Sequence, residues 1–270
     1  MHFPFNSPEL AVSLCNNPDF LPVLVGSTLG AAYSQFPVED LQSNLWPDSL
    51  PIDPEWVSCL RVAVDRVGTG KPLKPVGSSW LALAVVAGCL YCGDLDSLQC
   101  LFTSDASAES ELSVYHAATM AAASLVALAS DGAAPDTWLH RVYAFVDGQS
   151  DALDLTLLRI GHVLGWTSID LAMKHISRAG SPDEVVALAL YSALCSPSDI
   201  LSGVSRLSRI PTAASLAGAV LGAHLGWAGF PADWRSRCTD PAVLDDLASR
   251  ITEAQSTWGA TLDHDSPSLS

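Results

Sequence analysis

Two arginines, Arg206 and Arg209, stand just ahead of Thr212 and a long uncharged run. They precede a helix N-terminus, which itself attracts anions, so the chemistry they suit is binding of phosphates. The structural alternative is that Arg209 pairs with an acid and plugs a dead cavity, because interiors fill their space. Cys89 and Cys92 have the spacing of a metal or redox pair, but both fall in a segment that reads as buried, with Cys100 as the one near companion; packed thiols are the expectation. His116, His140, His162, His175 and His224 share no metal-ligand spacing. Asp147, Asp151 and Asp154 lie at helical spacing beside Gly148 and read as a solvated, capping group rather than an ion site. Asp245 and Asp246 read as the exposed face of a last helix, and no GxSxG nucleophile elbow is present.

The elements that must position these residues are helices. Asp53-Pro54 reads as an N-cap followed by proline in the first turn, opening a helix with Val57, Leu60, Val64 and Val67 on one side. Residues 80–91 are apolar on nearly every face, which predicts a buried helix. Further helices are expected over 108–130, around Trp138, Leu139, Val142, Tyr143 and Val146, around Leu153, Leu157, Ile160 and Leu164 with an end near Gly165, from Ile169 to an end at Gly180, and at the end of the chain with Leu244, Leu247 and Ile251 facing inward. Ser181-Pro182-Asp183-Glu184 has the pattern of a capping box. Ser196-Pro197-Ser198-Asp199 repeats that pattern with a different acid, and Asp240-Pro241 opens the last helix. Gly26 and Gly30 are spaced for close packing, as are Gly218, Gly222 and Gly226. No alternating run is sustained, so the expected class is all-α, with residues 1–22 as an N-terminal arm, 23–258 as a single helical domain and 259–270 as a flexible tail.

Composition narrows the function classes. With 49% apolar residues the chain can offset its ordering entropy and fold. A formal net charge of −16 repels phosphate backbones, and Lys71 with Lys74 or Arg235 with Arg237 are no more than pairs, so no nucleic-acid partner is expected. The N-terminus lacks the pattern of a secretory signal. Residues 212–230 form an uncharged stretch that rivals a membrane span, but it is mostly Ala and Gly and carries Ser215 and His224; the expectation is no membrane. Seven cysteines, mostly inside apolar segments, suit reduced thiols in a cytoplasmic protein.

Four stretches, taken together, resemble the ADP-ribosylglycohydrolase family. Residues 25–39, VGSTLGAAYSQFPVE, look like the family's opening GxLLGxAxGDALGxPxE, and residues 77–94, GSSWLALAVVAGCLYCGD, look like GNGAxMRxxPLGLxxxGD. Residues 165–194 resemble the stretch GWxxxEALxxALxxxL. Residues 206–226, RLSRIPTAASLAGAVLGAHLG, look like GGDTDTxAAIAGAxxGAxxG, and the Pro-x-x-Trp continuation at 231–234 follows. The resemblance implies a compact orthogonal multi-helix domain of the ADP-ribosylglycohydrolase type. It also implies two divalent ions, usually magnesium, held by carboxylates and threonine hydroxyls, which orient the ribose hydroxyls and the attacking water at the ribose C1″.

The residues depart from that pattern at the ligand positions. Arg209 stands for the first aspartate of the late motif and Pro211 for the second, while Thr212 keeps its type. Ser34-Gln35 replaces the opening Gly-Asp, Ser78 replaces the asparagine of the middle segment, and Leu83 replaces its arginine. Of the early acidic motif only Asp53 remains in a comparable place. The expectation is therefore a relative without catalytic residues, metal or cofactor. Its degenerate cleft would draw on Gln35, Asp53, Ser78, Arg206, Arg209 and Thr212 to bind a nucleotide-like small molecule, such as ADP-ribose, or a protein partner. The alternative is a divergent, metal-independent hydrolase or lyase acting on a nucleotide-like or other small molecule.

Overall fold

The computed structural model describes residues 19–33, 51–69, 79–103, 110–177, 180–238 and 240–264, and the fold is given for these. Gln35 and Ser78 lie outside them, as does most of the expected N-terminal arm. The helices run α1 (Leu21–Tyr33), α2 (Pro54–Val67), α3 (Trp80–Leu90), α4 (Leu95–Thr103), α5 (Ser110–Ser130), α6 (Pro135–Val146), α7 (Asp151–Val163), α8 (Ile169–Ile176), α9 (Pro182–Cys195), α10 (Ile200–Ser205), α11 (Pro211–Leu225), α12 (Trp234–Arg237) and α13 (Pro241–His264), with a 3-10 turn at Gly226–Gly229. Among the described residues there is no strand, and the architecture is all-α. The segment at Val23-Leu24-Val25, too short to assign from sequence, is helical, and α13 continues beyond residue 258 to His264.

The centre is made of helices that are apolar all round. Every residue of α3 is buried, and in α11 burial is continuous from Ala213 to Gly222. Such helices have no solvent face to choose and can only be stable inside. Helices α1 and α11 pack most intimately. A Cβ added at Gly26 would collide with the carbonyl of Gly218, one at Gly218 with that of Gly26, one at Gly30 with Ala214, and one at Gly222 with Pro22. Of the glycines expected to allow close approach, Gly226 lies past the end of α11 with nothing within 4 Å of a Cβ placed there, whereas Gly26, Gly30, Gly218 and Gly222 meet a neighbouring backbone. Gly88 in α3 has the same role against Ala123 and Val126 of α5. Buried hydroxyls in this centre are satisfied locally: Ser27 and Thr28 both donate to the Leu24 carbonyl, at 2.8 and 2.9 Å, so their burial strands no donor. Ser192 in α9 donates to the Gly203 carbonyl of α10 at 2.6 Å and ties the two together.

Around this centre lie amphipathic helices. Most of the expected stripe residues of α2, α6, α7 and α13 are buried, among them Leu60, Trp138, Leu157 and Leu247, but Leu139 and Tyr143 of α6 are half-buried and Leu164, just past the end of α7, is exposed. At 15 residues, α11 is about 22 Å long at 1.5 Å per residue, short of a ~30 Å hydrocarbon core. No helix among the described residues is long and apolar enough to cross a membrane. Residues 212–230 are thus not one long helix: Gly226 follows α11 with φ of +56° and the chain turns.

Two helix boundaries and one helix cap differ from the sequence reading. Helix α10 starts at Ile200, not near Pro197. Asp199 is its cap, accepting from the backbone N–H of Ser202 at 3.1 Å, whereas Ser196 closes α9. Two short polar segments compete for that turn, and Asp199 wins because it also accepts the Ser202 hydroxyl at 2.5 Å. Helix α8 ends at Ile176 rather than Gly180, with Arg159 donating to the Ile176 carbonyl at 3.3 Å. The box before α9 is only half formed. Ser181 makes no side-chain cap bond, while buried Glu184 accepts from the Gly180 N–H at 2.6 Å and from the Ser177 hydroxyl at 3.1 Å.

Two stability outcomes follow. Gly218→Ala places a methyl against a carbonyl on a neighbouring helix and is expected to destabilise by about 1–3 kcal/mol in urea unfolding; a neutral result would show that α1 and α11 are not in backbone contact. Glu184→Ala removes the acceptor for the Gly180 N–H and is expected to cost about 1–2 kcal/mol in the same measurement, whereas a loss confined to a few tenths would place that carboxylate in water.

Candidate functional site: a basic cavity ahead of α11

The turn that leads into α11 carries both of the arginines singled out by the sequence, and they line one cavity of about 530 Å³. Its walls are Asp170, Met173 and Lys174 from α8, Ser177 just after it, Leu188 from α9, and Ser205 to Ile210 from the end of α10 and the turn. Residue Leu207, inside that span, points instead into the core and is fully buried. Lys174, Arg206 and Arg209 give the cavity three cations against one carboxylate, Asp170. In a chain of net charge −16 that is a local reversal of sign.

The arginines differ in environment. Arg209 is exposed and Arg206 is half-buried, with its Nη1 atom sealed from solvent and without a hydrogen-bond partner. A buried guanidinium N–H left unpaired is costly, and such donors are uncommon unless a ligand or ion completes them. Arg206 acts electrostatically on Tyr191, which is 1% exposed. Burial pushes its hydroxyl up to about 12, the Cys195 thiol contributes in the same direction, and the Arg206 guanidinium opposes both. Tyr191 therefore stays neutral and supplies no counter-charge for Arg206. The acid that would pair with Arg209 and plug the cavity is not found among the described residues.

Helix α11 adds to the positive potential. Its cap position is Ile210, which has no side-chain oxygen, and Pro211 follows at the first helical position. The first N–H groups of α11 are thus uncapped by a side chain, and Ile210 itself lines the cavity. Planar guanidinium forks, an ammonium and an uncapped helix start together suit the oxygens of a phosphate or diphosphate.

The remaining residues expected at a cleft fall elsewhere. Thr212 sits half-buried in the first turn of α11, outside the cavity lining. Asp53 caps α2, accepting from the Glu55 N–H at 2.9 Å. Helix α2 packs on α3 and α13, neither of which lines the cavity. Sequence reasoning missed Lys174. The signal was present: Asp170, Lys174 and Ser177 recur at i, i+4 and i+7, the polar stripe opposite the apolar one in α8. The other reactive residues do not assemble into a site. Cys89 and Cys92 are buried, with burial pushing the Cys89 thiol well up and Cys92 adding to it. His116 packs edge-on against Phe102 and His224 against Trp138, and burial lowers both imidazoles.

Comparison with known proteins agrees with this architecture. No curated protein matches the chain. Among solved structures, one described as "ADP-ribosylglycohydrolase-related protein complex" superposes with a TM-score of 0.54 at 16% identity, covering 89% of this chain and 98% of that one. At that identity the likeness concerns the fold. The sequence model of the ADP-ribosylglycohydrolase family matches residues 81–261, which include the whole cavity and the α11 glycines. The chain belongs to the ADP-ribosylglycohydrolase family.

Proposed function

We propose that this chain is a non-catalytic member of its family that binds a phosphorylated, nucleotide-like small molecule in the Lys174–Arg206–Arg209 cavity. The observation that carries the reading is the Nη1 of Arg206, sealed from water and unpaired beside two further cations. A ligand phosphate satisfies it and offsets the cost of holding it there.

The metal chemistry implied by the family is not what these residues suit. A pair of divalent ions needs several clustered oxygen ligands. At the late-motif positions stand Arg209, Pro211 and Thr212, and Asp53 is occupied as a helix cap on another element. Among the described residues no three His, Cys, Asp or Glu side chains converge to hold an ion. The residues present do not fit two divalent cations, and an arginine in place of a ligand repels them. The function therefore rests on binding, and no catalytic step is assigned.

Titration calorimetry with ADP-ribose tests this directly. Binding is expected in the presence of EDTA, unchanged by magnesium, and without release of ADP-ribose from modified arginine or serine substrates. Arg206→Leu is expected to weaken binding at least about tenfold, since a charge-assisted phosphate contact contributes ~1.5–3 kcal/mol. The same substitution is expected to raise the stability of the ligand-free protein by about 1 kcal/mol, because it removes an unpaired buried donor. Magnesium-dependent turnover by the wild-type chain, or a large stability loss in Arg206→Leu with binding intact, would overturn the reading.

A further inference from the structure

Helix α7 carries apolar residues on two faces, and only one of them is used by the core. Leu153, Leu157 and Ile160 are buried, whereas Leu155 and Leu158 keep 53% and 52% of their surface exposed. An exposed leucine is ordinary by itself, but two adjacent on one helix face and bordering an apolar groove form a contiguous apolar patch, which marks an interaction surface. Leu158 also lines an apolar groove between α6 and α7, of about 900 Å³, together with Leu139, Tyr143, Gly161 and Leu164 among others.

The order of residues along the exposed stripe indicates what covers it. At 100° per residue, Asp151, Leu155, Leu158 and His162 fall on one face of α7, and all four are exposed. Their positions are symmetric about the point midway between residues 156 and 157: Asp151 mirrors His162 and Leu155 mirrors Leu158. A second copy of α7 laid antiparallel across a two-fold axis at that point sets Leu155 and Leu158 against their counterparts. The same operation places Asp151 level with the other copy's His162 at each end of the seam, an acceptor facing a donor. Parallel pairing would instead oppose Asp151 to Asp151. A two-fold interface requires such self-complementarity, with residue i meeting j and j meeting i. Nothing lies within 4 Å of the position a Cβ on Gly161 would take, so the edge of the stripe is open to an approaching helix. Two chains of net charge −16 repel at long range, and with a screening length of ~8 Å at physiological ionic strength the local match decides whether they meet.

We infer that the exposed face of α7 is a homodimer interface, formed by antiparallel pairing of α7 with α7 of a second copy of this chain about a two-fold axis at residues 156–157. The test is sedimentation equilibrium of the full chain at micromolar concentration and neutral pH. Wild type is expected to be a dimer. Leu155→Asp and Leu158→Asp are each expected to raise the dissociation constant on the order of 100-fold, because a two-fold interface contains every substitution twice. Leu171→Asp, on an equally exposed leucine of α8, is expected to leave the dimer intact. These sites are on the surface, so unchanged far-UV dichroism confirms that each variant folds. His162→Glu, which sets a carboxylate against Asp151, is expected to weaken the dimer, and Asp151→Lys combined with His162→Glu is expected to restore it. A wild-type monomer at 100-fold higher concentration overturns the proposal, and so does a dimer indifferent to Leu155→Asp and Leu158→Asp. Failure of the paired exchange to restore association overturns the antiparallel register.

Discussion

The backbone-to-backbone contact of α1 with α11 is the constraint around which the remainder of the molecule is arranged. Gly26 meets Gly218, Gly30 meets Ala214 and Gly222 meets Pro22, so neither helix can shift along or rotate about the other without a collision. Such rigidity fixes both ends of α11. Its C-terminal end sets His224 against Trp138 of α6, and its N-terminal end fixes the turn from Ser205 to Ile210 against α8 and α9. A helix free to slide by one turn would move that end by about 5 Å, more than the depth of a phosphate contact.

On this rigid frame, the family scaffold presents Arg206, Arg209 and Lys174 around the start of α11. The helix N-terminus and its positive potential come with the fold. With carboxylates beside it, such a position suits cations and a metal-bound ligand. With Arg206, Arg209 and Lys174 it suits the anion itself. Tyr191, kept neutral by burial, supplies no counter-charge to Arg206.

The peripheral helices contrast with the centre. Buried Glu184 anchors the start of α9 by accepting from Gly180 and Ser177, and Asp183 accepts from the Thr156 hydroxyl at 3.0 Å, joining α9 to α7. The Asp183–Thr156 bond holds α7 by its inner face, and its outer leucines are left unused by the core. Acidic groups thus serve the fold at α9 and α10 as caps, while the scarce cations gather at the cavity.

Much of this was written in the sequence. Uniform apolarity over 80–91 requires burial, because a helix without a polar face has nowhere else to be stable. Asp53-Pro54 determines a helix start because cap and proline act over three residues. The glycine spacing of α1 and α11 announced close packing, and the four motif stretches announced the family, since both are local patterns. Arg206 and Arg209 could be paired because they are neighbours in the chain. The tertiary structure alone decided what joined them: Lys174 lies more than thirty residues earlier and reaches the cavity only because α8 folds back against the turn. It also decided that Asp53 stays apart, that the α10 start belongs to Asp199 rather than Ser196, and that Leu155 and Leu158 face water. Each of these depends on which of two locally acceptable arrangements the neighbouring helices leave room for, and short-range sequence preferences do not carry that information.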